Sequence, residues 1–219
     1  MSAHDFEPVR GLPGALPKGE TLLWQGSPRW TRLACQAFHI RAVAGYFALM
    51  LAWRTAAAIG AGAEPGRALA GALAVTPLAV AAVGLLALLA WLTARTTVYT
   101  ITSRRVVLRF GVALTKAINL PFTVIDSGAL KTFPDGAGDV ALTLKAPDKL
   151  AFLHIWPHAR PWRVAAPQPT LRAVPDAAVV ARTLAAAMKA EVGAELSPLA
   201  QPGRAAAAPA LGGVEAAAA

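Results

Sequence analysis

The run ALAGALAVTPLAVAAVGLLALLAWL, Ala68 to Leu92, ends just before TTVYTITSRRVVLRFG, Thr96 to Gly111. Between the two the periodicity of the sequence changes. The first run is apolar on every side, carries no charge, and has the length that a bilayer crossing needs. Pro77, near its middle, is tolerable where neighbouring groups satisfy the freed carbonyl. The second run alternates, with Val98, Thr100 and Thr102 on one face and Tyr99 and Ile101 on the other. It turns at Ser103-Arg104 and returns as Val106-Val107-Leu108-Arg109-Phe110, closing at Gly111. The spacing therefore predicts a transmembrane helix that feeds directly into antiparallel strands.

Working upstream, AVAGYFALMLAWRTAAAIGAGA, Ala42 to Ala63, is a second run of spanning length, interrupted by Arg54. The link from Gly60 to Arg67 holds one acid and one base, short enough for a tight helical hairpin with both termini on one side. Arg29, Arg32 and Arg41 precede the hairpin, and Arg95, Arg104, Arg105 and Arg109 follow it. Positive charge collects on the terminal side, which predicts a multi-pass protein with both termini in the cytoplasm. An arginine at mid-membrane costs roughly 2.5–3.5 kcal/mol on insertion scales. Arg54 therefore either snorkels to headgroups at the far interface or meets a partner, on the second helix or on another subunit.

Composition agrees with a membrane protein. Of 219 residues 56% are hydrophobic and only 15% charged, where a soluble domain has about a quarter charged. The net charge of +9 on so apolar a chain points to an anionic membrane surface rather than to nucleic acid. Cys35 is the single cysteine, which excludes an internal disulfide and a cysteine-based zinc site. The first twenty residues lack the apolar core of a signal peptide.

Downstream, KAINLPFTVIDSGAL, VALTLKA and KLAFLHIW read as further strands, with GAGD as a turn. Pro175-Asp176 opens a helix running to about Glu191, with Asp176 at its N-cap. The fold expected is a two-helix membrane hairpin plus a small antiparallel barrel or half-barrel capped by a C-terminal helix. The expected divisions are an N-terminal segment 1–37, a hairpin 38–94, a strand-rich domain 95–192, and an Ala/Pro/Gly-rich disordered tail 193–219.

One stretch concentrates chemistry: HIWPHARPWR, His154 to Arg163. His154 and His158 are spaced i, i+4, but Pro157 lies between them, the nearest carboxylate in sequence is Asp148, and no cysteine is near. Four-ligand structural zinc is thus disfavoured, and no metal is expected. Tryptophan and arginine are enriched both at binding hot spots and in the headgroup region. Trp156, His158, Arg160, Trp162 and Arg163 are accordingly read as an exposed, proline-stiffened, partner-binding loop, the competing reading being that the tryptophans close the core. Arg41, Arg95, Arg104, Arg105 and Arg109, with Lys116, are read as a membrane-surface set, each worth roughly 1 kcal/mol against anionic lipid. No nucleophile elbow, Walker loop, zincin motif or paired carboxylates occur, and no catalytic residue is expected.

The residues also carry a resemblance. Tyr99 to Gly111 resembles the strand-turn-strand opening of bacterial pleckstrin-homology domains, and GETLLWQGSP, Gly19 to Pro28, resembles the segment that precedes the membrane hairpin in such proteins. FEPVRGLP (Phe6–Pro13), WQGSPRW (Trp24–Trp30) followed by AFHIRAVAGYFA (Ala37–Ala48), and HIWPHARPWR, in that order, are similar to the PuhB family of photosynthetic reaction-centre assembly proteins. That family is encoded beside the reaction-centre H subunit. The resemblance covers about residues 5–190. It implies a non-enzymatic scaffold or chaperone in the intracytoplasmic membrane of a purple bacterium, with reaction-centre and core light-harvesting subunits as partners. No cofactor is implied, and the small-residue faces around Gly45, Gly71 and Ala72 could also pair with a second copy as a homodimer. Two alternatives stay open. One is a general envelope protein whose domain binds lipid or stress-related partners. The other is a bacteriochlorophyll carrier with His39, just outside the first span, as pigment ligand.

Overall fold

The computed structural model describes residues 11–12, 14–145, 151–161 and 163–196. The chain enters through strand β1 (Leu22–Gly26) and a short helix α1 (Trp30–Gln36). Helix α2 (Ile40–Gly60) follows from His39, whose backbone is left-handed at φ 51°. A tight turn leads to α3 (Pro65–Leu73), started by Pro65 and by Glu64, which accepts a hydrogen bond from the Arg67 amide at 3.0 Å. Helix α4 (Thr76–Thr96) completes the hairpin.

The apolar run predicted as one helix is thus two, α3 and α4, broken at Ala74-Val75. Pro77 supplies the reason. Its ring collides with the carbonyl four residues back, that of Leu73, which is where α3 stops. Both α2 and the stretch Pro65–Thr96 are long and apolar enough to cross a membrane. Neither is packed as a core helix would be. No α2 residue is buried, and Leu49 and Trp53 are more than 70% exposed.

The switch at Thr96 is as abrupt in space as in sequence. One extended residue, Thr97, joins α4 to β2 (Val98–Thr102). β2 pairs with β3 (Arg105–Phe110), which pairs with β4 (Lys116–Pro121), all antiparallel, in a four-stranded sheet of order β1-β2-β3-β4. A 3₁₀ turn at Phe122–Val124 then interrupts what the sequence suggested was one strand. Beyond it β5 (Ile125–Thr132), β6 (Gly138–Leu144) and β7 (Thr170–Val174) form a second antiparallel sheet. Among the described residues these remain two separate sheets rather than a closed barrel. They share one core with the last helix, α6 (Ala177–Leu196), whose Val180, Leu184 and Ala187 meet Ile101, Leu108, Phe122, Leu142 and Leu171. Asp176 occupies the position before the first residue of α6, with φ 50°, and its carbonyl accepts from the Val179 amide at 2.8 Å.

Two segments depart from expectation. Leu22–Gly26, set apart from the domain in the sequence reading, is the edge strand of the first sheet and pairs with β2. KLAFLHIW is not a strand where it is described: Phe152–Ile155 is a helical turn, α5. The tail from Ser197 lies outside the described residues.

Candidate functional site

The geometry that joins the hairpin to the two sheets is built on polar residues buried at the foot of α4. Because β2 leaves α4 at once, Thr97 and Tyr99 sit directly beneath the helix, both fully buried. His158, which follows the cis Trp156–Pro157 bond, is also fully buried and stands between them. The Thr97 hydroxyl donates to the Thr93 carbonyl at 2.7 Å, so its oxygen accepts from His158 Nε2–H at 3.2 Å. The Tyr99 oxygen accepts from the Arg172 amide at 3.1 Å, leaving its own proton to donate to His158 Nδ1 at 2.7 Å. The chain of donors assigns the Nε2–H tautomer and a neutral ring. Burial, with the Arg172 charge adding to it, pushes the His158 pKa down to about 3. Burial likewise raises Tyr99, which stays a phenol.

Arg172 is the second part of the joint. Its strand β7 is buried throughout, and the side chain is 6% exposed. Nη1 donates to the Pro157 carbonyl at 3.3 Å and Nη2 to the Gln36 carbonyl at the end of α1 at 3.1 Å. Nε lies 3.8 Å from Asp139 Oδ2 on β6, while Asp139 Oδ1 accepts from the Ala173 amide at 2.8 Å. One guanidinium therefore holds α1, β6 and the segment carrying His158. Helix α1 is fastened again outside, where Arg32 Nε donates to Asp135 Oδ2 at 2.7 Å.

Above this joint opens a cleft of about 230 Å³, lined by Phe38, Leu89, Thr93, Phe110, Val112 and Trp156 with Pro157 and His158 among its other walls. It is mostly apolar. Trp156 stands edge-on to Phe38 at 5.5 Å and is half exposed.

The sequence-predicted residues separate accordingly. His158 is not part of an exposed loop; it is the buried keystone, because Tyr99 and Thr97 offer its two nitrogens the partners that water would. Arg160 is half-buried and donates to Gln168 Oε1 at 3.0 Å, and Arg163 is exposed. Trp162 lies outside the described residues. Of the basic set, Arg41 is exposed in the first turn of α2, and Arg95 covers the Trp91 ring at 5.0 Å in the last turn of α4. Arg109 is half-buried on β3.

Arg104 and Arg105 do not sit at the foot of the helix. β2 carries the chain away for five residues, about 17 Å, before they occur. Arg105 is spent on a two-pronged ion pair with Glu20, both contacts 2.8 Å, and Arg104 approaches Glu191 at 4.0 Å. Burial acts to raise the Glu20 carboxyl, but hydrogen bonds from Arg105 and Thr102 and the charges of both arginines overcome it and hold the group below the ordinary range. Arg54 reaches the Gly71 carbonyl on α3 at 3.4 Å, beside Arg67, in a groove between the two helices. His39 is exposed at the start of α2. Among the described residues no three His, Cys, Asp or Glu side chains converge as a metal site would require.

Tyr99, Thr97, Arg172, Asp139 and Glu20 were not anticipated from sequence. Arg172 had left a signal, a lone cation in the apolar phrase TLRAV, Thr170 to Val174.

Comparison with known proteins agrees with this architecture. Residues 38–188, hairpin and sheets together, match the bacterial PH domain. Over 197 residues, 88% of this chain and 91% of the other, the chain is 45% identical to a Rhodobacter capsulatus protein named as an uncharacterized 23.7 kDa protein in the puhA 5′ region. No solved structure matches the chain.

Proposed function

Because the chain belongs to the bacterial PH-domain family, we propose that it is a membrane-anchored, non-catalytic assembly factor for the photosynthetic reaction centre and its core antenna. The observation that carries the reading is the 45% identity, along nearly the whole of both chains, to a protein placed by its name in the puhA 5′ region. The PuhB-like phrases of the sequence point the same way. The architecture supplies a mechanism. Helices α2 and α4, each of 21 residues or about 30 Å, match the hydrocarbon thickness of a bilayer, and their unburied apolar sides suit lipid or the helices of a partner. The exposed Gly45 and Gly71 permit close approach of a partner helix, whereas Ala72, expected with them, is buried inside the hairpin. The domain, fixed to the hairpin by His158 and Arg172, would hold a partner's cytoplasmic end through Trp156, Arg160 and Arg163.

An affinity pull-down in mild detergent from photosynthetically growing cells tests this, with mass spectrometry of the eluate. Reaction-centre or core-antenna polypeptides are the expected co-eluants. An eluate of lipid and unrelated envelope proteins would refute the assembly role and favour a general lipid-binding envelope protein. An absorption spectrum of the protein purified free of co-eluants tests the pigment-carrier alternative.

A further inference from the structure

The strand topology sends one loop of the first sheet back to the membrane-spanning helix. β2 descends from α4, β3 returns antiparallel to it, and Arg109 pairs with Val98, two residues beyond the end of α4. The β3–β4 loop, Gly111 to Thr115, must therefore lie at the level of α4's last turns. The cleft places it there: Phe110, Gly111 and Val112 line it together with Thr93 and Leu89. Leu89 is seven residues before the end of α4, about 10 Å back up the helix.

The loop reads GVALT, with no charge or hydrogen-bonding side chain before Thr115. Loops at a water-facing end of a sheet are ordinarily polar. Here Val112 is 47% and Leu114 78% exposed. Gly111 makes the tight entry, at φ 129° with the Leu114 carbonyl folded against it. Across the cleft the α5 turn shows the same pattern beside the other spanning helix. Leu153 is 86% exposed, and Trp156 lies against Phe38, two residues before α2 begins. Two tips thus flank the foot of the hairpin, one bearing Val112 and Leu114 and the other Leu153 and Trp156 with the exposed His154. Lys116 and Arg41 are exposed close by in sequence, residue types that settle at a headgroup boundary.

We infer that these two tips, Val112–Leu114 and Leu153–Trp156, are a second membrane-contacting surface. They enter the headgroup–acyl boundary of the leaflet from which α4 emerges, so that the domain lies against the bilayer. The inference rests on the hairpin spanning the membrane. Lipid is the occupant because Val112 and Trp156 line one cleft with Leu89, an exposed apolar residue of α4, and so adjoin the surface that a spanning hairpin turns to lipid.

The test uses the full chain in lipid nanodiscs, on a Cys35→Ala background, with an environment-sensitive fluorophore on single cysteines. Leu114→Cys and Leu153→Cys probe the tips, and Leu85→Cys probes the span. Thr123→Cys, exposed at the opposite end of β4, probes water. The tips should show blue-shifted emission, lose most of it to lipids brominated on the acyl chain, and resist iodide, as position 85 does. Tips that behave like position 123 while position 85 is quenched by lipid overturn the inference and leave the spanning hairpin standing. Iodide access at position 85 overturns the spanning hairpin and the inference together. Tips shielded from both quenchers would mean that protein covers them, a second copy in this preparation, and would also overturn it.

Discussion

Comparison of the wild type with a variant at position 158 across an acid series isolates the buried histidine. In the unfolded chain His158 titrates near pH 6.5, and in the folded chain only near pH 3. Between those values the unfolded state binds a proton that the native state refuses, so stability falls as pH falls. It is fully present above the unfolded value, and its decline ends near the folded one. Each pH unit below 6.5 removes about 1.4 kcal/mol, and the interval from pH 7 to pH 5 removes about 2 kcal/mol. His158→Gln abolishes the titration while keeping an amide N–H for Thr97 and a carbonyl for the Tyr99 hydroxyl. Imperfect reach should cost it about 1–3 kcal/mol at pH 7. The assay is urea unfolding of both full-length proteins in mild detergent, followed by near-ultraviolet circular dichroism. His154 and His39 are common to both, so the difference between the two curves belongs to position 158. The wild type's advantage should shrink by about 2 kcal/mol from pH 7 to pH 5. Parallel pH curves would mean that the native ring accepts a proton, and the tautomer derived from Thr97 and Tyr99 would be wrong.

Arg172→Leu should be the most damaging single change at the joint. It strands Asp139 and the carbonyls of Pro157 and Gln36, a loss of about 3–5 kcal/mol read by the same unfolding assay. Arg105→Ala and Arg104→Ala should differ although the residues are adjacent: the first leaves the Glu20 carboxylate, 3% exposed, without its partner, for on the order of 2 kcal/mol, and the second should cost less than about 0.5 kcal/mol. Glu20 titrates lower in the folded chain, so its contribution is present above the ordinary glutamate value near pH 4.3 and is lost as pH falls through the lower folded one. Glu20→Gln should remove that acid-range dependence, as a pH series of thermal melts would show. Gly111→Ala should lower the melting temperature by the equivalent of about 1–3 kcal/mol, since a Cβ there meets the Leu114 carbonyl at a backbone angle that favours glycine. A neutral result would show that the loop relaxes freely.

What the sequence disclosed follows from the range of the interactions involved. The two apolar runs, the switch at Thr96, the β2–β3 turn and the final helix are local patterns, and the structure has each of them. The break before Pro77 was foreseeable as a weak point, but whether proline bends or ends a helix depends on which carbonyls neighbours can satisfy. β1 and β7 were missed for opposite reasons. LLWQG is a short edge strand whose only guarantee is pairing with β2, some 75 residues away. TLRAV is buried on both faces, so it lacks the alternation that marks a half-buried strand. In HIWPHARPWR the structure corrects the reading at one residue, His158, which is buried where an exposed one was expected. Composition correctly marked it as unusual and left the tryptophan–arginine pattern to suggest an exposed surface. The burial of His158 depends on Tyr99 and Thr97, 59 and 61 residues upstream, and nothing within the stretch itself encodes them.

The joint has a mechanical consequence. A domain tethered to a membrane helix by an ordinary linker can rotate about it, and what the helix binds then says little about where the domain points. Here α4 passes into β2 through Thr97 alone, and Thr97 is bonded on one side to Thr93 within the helix and on the other to His158 within the domain. Helix α1, which leads into α2, is held at its last carbonyl by Arg172 from β7. Both ends of the hairpin are therefore fastened to the sheets by buried, charge-assisted or neutral hydrogen bonds that are expensive to leave unmade. Whatever grips α2 and α4 thereby fixes the direction of Trp156, Arg160 and Arg163 as well. For the assembly role proposed above, that rigidity would be the useful property, and it resides in His158 and Arg172.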